Sequence, residues 1–160
     1  MSAARRDLAE QKALELHLQH PEYCSIPVNP IRVANGLGLR VLRDNSEENI
    51  DGWYNSVNKT IYLNTDQPLY RRRFTVAHEL GHHIMGHKTR PRDRSKQYTK
   101  EDFDPDEVEA NRFAAALLMP EAAVRKCVFE KGMLVEAMAD FFGVSEKAMC
   151  IRLKQLRIVK

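Results

Sequence analysis

Phe74-Thr75-Val76-Ala77-His78-Glu79-Leu80-Gly81-His82 is the stretch on which the reading of this chain turns. It contains His-Glu-x-x-His. On a helix, residues four apart share a face, so His78 and His82 can grip one metal ion together. Two imidazoles leave room for a third protein ligand and a water, the donor set that zinc takes in catalytic sites. Glu79 is turned about 100° from His78 by the helical pitch. It can therefore serve as base toward the water that zinc would activate, without itself being a ligand. At the same pitch Val76, Leu80, Ile84, Ala77, Gly81, Phe74 and Met85 fill one apolar arc. The two histidines stand at its edge, where a cleft begins. Gly81 costs about 1 kcal/mol relative to alanine inside a helix, which predicts a close helix–helix approach there.

Working outward, residues 70–87 read as the metal helix, with His83 and His87 about 140° and 180° from His78 and so poor ligand candidates. Segments 51–54 and 60–63 read as two strands joined by the turn-rich 55–59, and 37–42 as a third. These predict a small three-stranded sheet beside the metal helix, with one edge open to an extended peptide. Trp53 reads as a core anchor. Residues 3–20, with leucines at 8, 14, 16 and 18, read as a helix ending before Pro21, and 31–35 as a short helix started by Pro30 and stopped by Gly36. Residues 88–103 are polar and contain Pro91, and read as an exposed loop flanking the cleft.

Asp104-Pro105-Asp106-Glu107 reads as a helix start, with Asp104 as N-cap and Glu107 closing a capping box. The helix reaches Met119, and its half from Phe113 onward is apolar all round, hence buried. Glu109 lies just before that half. A buried carboxylate needs a partner. Arg112 is one, and the metal is the other, as its third ligand. Of the four acids, Asp104 and Glu107 have the capping box and Asp106 the helix dipole, which leaves Glu109. Beyond Pro120 a helix over 121–130 ends at Gly132. Segments 134–142 and 146–156, joined by Gly143-Val144-Ser145, have a helix-turn-helix pattern with Ser145 as N-cap. Such a unit is more often packing than a reader of DNA.

The 160 residues favour one domain, 1–160, with 133–160 as a helix-turn-helix-like subregion. Hydrophobic content of 43% and charged content of 29% are those of a globular chain, not a disordered one. No apolar run approaches the roughly 18 residues of a membrane helix, and residues 1–20 lack a signal-peptide core. A cytoplasmic protein is expected. Cys24, Cys127 and Cys150 form no Cys-x-x-Cys pair and read as reduced, buried thiols. Arg71-Arg72-Arg73 and 88–100 are basic and 101–109 acidic, but a net charge of +3 names no partner.

Phe74-Thr75-x-Ala77-His78-Glu79-Leu80-Gly81-His82, followed by Glu109-Ala110-Asn111-x-Phe113-Ala114-Ala115-x-Leu117-Leu118-Met119-Pro120, resembles the ImmA/IrrE family of zinc metallopeptidases, and so does the Gly143-Val144-Ser145 and Arg152-Leu153 tail. The resemblance covers roughly residues 31–156. It implies an α+β fold and a gluzincin-like site, with His78, His82 and Glu109 as zinc ligands and Glu79 as general base. It also implies an intracellular regulatory protease, of a kind often carried by mobile elements, that cleaves a helix-turn-helix repressor. Tyr54, Tyr70, Tyr98, His83 and His87 are the candidate donors to the oxyanion. The competing reading is a non-proteolytic zinc-binding regulator, or a toxin–antitoxin component, that binds a repressor or DNA.

Overall fold

The computed structural model describes residues 3–88, 91–93 and 104–160. Its sheet is built around β3 (Thr60–Leu63), which pairs in parallel with β1 (Arg40–Arg43) and antiparallel with β2 (Ile50–Asn55). The β2–β3 turn forms because the Asn55 side-chain oxygen accepts from the amides of Val57 and Asn58. One strand begins later than the sequence suggests. Leu37 is the C-cap of the preceding helix, so the 37–42 strand starts only at Arg40. A short β4 (Pro91–Asp93) adds to the far edge of β2, giving the order β1-β3-β2-β4. The edge expected to be open is thus partly covered. The remainder of the expected 88–103 loop, apart from Lys88, lies outside the described residues.

From Gly52 to Asn55 burial alternates along β2, as a strand with one buried face requires. Tyr54 points into the core, whereas Trp53 is only half-buried. Trp53 stacks on Tyr62, ring centroids 4.4 Å apart, and is not the core anchor its size suggests.

The helices are α1 (Ala3–Gln19), α2 (Pro30–Gly36), α3 (Leu69–Ile84), α4 (Pro105–Leu118), α5 (Glu121–Arg125), α6 (Val135–Phe142) and α7 (Glu146–Gln155). The π-helical turn Lys126–Glu130 continues α5. α3 packs against the sheet and crosses α4. The crossing is close because Gly81 has no side chain: a Cβ there would sit 3.1 Å from the Ala110 Cα and carbonyl oxygen. In α1 the buried face is Ala9, Ala13 and Leu16, while Leu8, Leu14 and Leu18 are exposed. Ala9 and Ala13, not the leucines, let α1 lie close on α4, where His17 Nε2 meets the Leu117 carbonyl at 2.8 Å.

The tail is fastened to this frame by two arginines. Arg73 of α3 donates to the Gly143 carbonyl at 3.1 Å and to that of Val28. Arg152 of α7 is fully buried, donates to the Met119 carbonyl at 2.9 Å, and is paired with Glu10 of α1, which also accepts from Arg112 at 2.7 Å. Burial pushes the Glu10 carboxyl up, but the hydrogen bonds and charge of Arg152 and Arg112 outweigh it and hold the group below its ordinary value. Its folded-state pKa is therefore depressed. The stabilisation is complete above the unfolded carboxylate range and drains as pH falls through it. Glu10→Gln is expected to cost about 2 kcal/mol at pH 7, or roughly 4–8 °C in Tm. That deficit should shrink as melts are taken from pH 6 to pH 3.

Cys24 and Cys127 are buried free thiols, as expected, but Cys150 is exposed on α7. Burial pushes the Cys24 thiol up to about 11. No described helix is long and apolar enough to cross a membrane.

Candidate metal centre

Both histidines of the metal helix are buried. Their Nε2 atoms are 3.1 Å apart. A carboxylate faces both of them, and it belongs to Glu107, with Oε2 2.9 Å from His78 Nε2 and Oε1 2.9 Å from His82 Nε2. The sequence reading put Glu109 in this place, whereas the carboxylate that faces the two histidines is that of Glu107. α3 and α4 run antiparallel through the Gly81–Ala110 crossing. Residues 107, 110, 111 and 114 share the α4 face turned to α3, whereas 109 points about 100° away from 110. Asp104 does cap the helix, accepting from the Asp106 amide at 3.0 Å. Glu107 sits at the capping-box position but presents its carboxylate to the histidines. Glu109 is held by Arg5 of α1, at 2.5 and 2.9 Å, and by His87 at 3.1 Å. Arg112 turns to Glu10 instead.

The proton positions follow from the second contacts of each histidine. His78 Nδ1 lies 2.7 Å from Asn111 Oδ1, an acceptor, so Nδ1 carries the proton and Nε2 offers a lone pair. On the other side a chain of contacts runs through His87. His82 Nδ1 meets His87 Nδ1 at 2.9 Å, and His87 Nε2 meets the Glu109 carboxylate. With His87 Nε2–H donating to Glu109, His87 Nδ1 is the acceptor, so His82 Nδ1–H donates and His82 Nε2 is a lone pair too. Two imidazole lone pairs and a carboxylate then converge with 2.9–3.1 Å between neighbours. Three acceptors at that spacing repel one another unless a cation lies among them. The spacing is close to the edge of about 3.3 Å of a tetrahedron with zinc-like bonds of about 2.0–2.1 Å. The donor set fits a metal ion.

Glu79 is the other carboxylate of the site. It is fully buried, and one of its oxygens lies within 4.8 Å of the His78 and His82 donor atoms. Glu107 is nearer to both nitrogens, so it closes the donor triangle and Glu79 stands beside it. The two acids also act on the histidine protons. Without a metal a proton can take its place: burial lowers the His82 pKa, but the hydrogen bond that a protonated Nε2 gives to Glu107 and the charges of Glu79 and Glu107 raise it overall. Burial raises the Glu107 carboxyl, yet the His78 and His82 contacts hold it well below the usual carboxylate range.

His87 was read as lying on the wrong face of a longer helix. That helix ends at Ile84, and Gly86, at φ +75°, turns the chain back so that the His87 amide donates to the His82 carbonyl at 2.8 Å. His87 thus supports His82, and both its ring nitrogens are engaged. Tyr54 and His83 are joined to each other, hydroxyl to Nδ1 at 2.6 Å, one residue along from His82. Tyr70 is exposed on the first turn of α3, and Tyr98 lies outside the described residues. The supporting residues missed by sequence reasoning are Asn111, His87 and Arg5. Asn111, one turn after Glu107, was the available signal: a polar pair at i and i+4 entering an apolar helix.

Residues 34–154 match the family model Peptidase_M78, described as the IrrE N-terminal-like domain. The chain is also 35% identical over 98 residues to "Uncharacterized immunity region protein 2" of Bacillus phage phi105. That alignment covers 60% of this chain and 61% of the phage protein. With the family model spanning both metal-site helices, this chain belongs to the Peptidase_M78 (IrrE N-terminal-like domain) family.

Proposed function

We propose that the protein is a zinc-dependent endopeptidase whose ligands are His78, His82 and Glu107 and whose general base is Glu79. The observation that carries this is the convergence of three acceptors, the two imidazoles fixed from behind by Asn111 and His87, with a further buried carboxylate beside them. A structural site needs no such extra base. Two imidazoles and one carboxylate also leave a coordination position open, as catalytic zinc sites do.

Bound zinc would polarise the scissile carbonyl and acidify a water. The chain's own residues do the rest. Asn111 and His87 hold the imidazole rings with Nε2 forward. Glu79 takes the proton of the attacking water and later gives it to the leaving amine, so the peptide bond breaks with water divided between an acid and an amine. The Tyr54–His83 pair is the candidate donor to the carbonyl oxygen as negative charge grows there.

The substrate we propose is a helix-turn-helix repressor in the cytoplasm, whose cleavage relieves repression. The support is the family and the phage relative, which is named for an immunity region. The test is to incubate the purified protein with the repressor encoded beside its gene. Discrete fragments are expected, lost on adding chelator and restored by zinc. An intact repressor, bound without cleavage at full zinc occupancy, would favour the non-proteolytic regulator.

A further inference from the structure

A cavity of about 880 Å³ lies beside the metal-site helices, one residue removed from His78 through Asn111. Its lining includes Thr75, one turn before Glu79, and Asn111, the residue that fixes His78. Its floor is apolar, with Phe74, Met119 and Val144. Its far wall is the tail, through Ile151 and Lys147 of α7. Such a volume and polarity suit a peptide side chain with its neighbours.

The charge of the lining is one-sided. Arg6, Arg71, Arg112 and Lys147 contribute to it, and Asp51 is its one acid among the described residues. Arg112 is paired with Glu10. Arg6, Arg71 and Lys147 are exposed at the rim, and no acid among the described residues forms an ion pair with them. They come from α1, α3 and α7, so three separate elements bring cations to one mouth.

We infer that this cavity is a substrate subsite that selects an acidic residue flanking an apolar one next to the scissile bond. The inference rests on the peptidase reading above. An apolar-floored cavity suits a peptide side chain better than a nucleic-acid duplex, which is read by an element that enters one of its grooves. It also gives the helix-turn-helix-like tail a use, as a wall of the subsite.

Binding can be read separately from hydrolysis. Zinc-loaded, full-length Glu79→Gln protein is titrated with fluorescent peptides that share a Leu-containing frame and differ at one position, Glu, Gln or Lys. The Glu peptide should bind about fivefold more tightly than the Lys peptide, the scale of a few exposed charge pairs, with the preference fading at high salt. Arg71→Glu or Lys147→Glu should abolish or invert the order. Arg43→Glu, on the exposed face of β1, controls for net charge and should leave the order as it was. Equal affinity for the three peptides, an equal response to Arg43→Glu, or displacement of the Glu peptide by a DNA duplex would overturn the inference. A clear charge order with no cleavage of any peptide by the wild type would instead sink the peptidase reading alone.

Discussion

Glu107→Gln is expected to lower zinc affinity at least a hundredfold, about 2.8 kcal/mol, whereas Glu109→Gln should lower it about tenfold. The two residues are both buried acids on one helix, and their roles differ by geometry alone. Glu107 supplies an anion 2.9 Å from each Nε2. An amide there keeps the shape but removes the charge that offsets a divalent cation. Glu109 acts at two removes. Glutamine there gives Arg5 and His87 one neutral acceptor in place of a charged pair, so His87 Nε2 is held less firmly and the tautomer of His82 is less well set, a cost typical of groups that orient a ligand. Competition against a coloured chelator measures both. Equal loss in the two variants would mean that the carboxylates share the ion. Loss in Glu109→Gln alone would restore the sequence-based ligand set.

Glu79→Gln should keep zinc and lose hydrolysis. The amide cannot accept the proton of the attacking water, and positioned general bases contribute about a hundredfold to ten-thousandfold. A fall in kcat of about a thousandfold is expected, with KM and metal content by elemental analysis nearly unchanged. Glu107 rather than Glu79 closes the donor triangle, so affinity for the metal should change little in this variant. Wild-type cleavage by this variant would refute the mechanism. Loss of zinc along with activity would make Glu79 a ligand.

Much of this arrangement is legible in the chain because it depends on local periodicity. The His78–His82 spacing, the apolar arc of α3, the buried second half of α4 and the β2–β3 hairpin are each set by residues near one another in sequence, and Gly81 alone signals a close approach to its helix without naming the partner. The third carboxylate is different. Ranking the acids of α4 by local use assigned Glu107 to a capping box, since no local rule shows which face meets α3. The Gly81–Ala110 crossing decides that, and it is a contact across 29 positions (110 − 81). His87 was missed for a related reason. A helix drawn to residue 87 puts it on the far side, and only the termination at Ile84 and the left-handed Gly86 return it to His82. Arg5 and Glu109 are 104 positions apart, beyond any pattern a single sequence offers.

The most direct measurement is a crystal structure of the zinc-loaded protein with an anomalous difference map at the zinc edge. One peak is expected among His78 Nε2, His82 Nε2 and the Glu107 carboxylate, with Glu109 still on Arg5 and His87. A peak bonded to Glu109, or no peak between the two histidines at full zinc loading, would contradict the account.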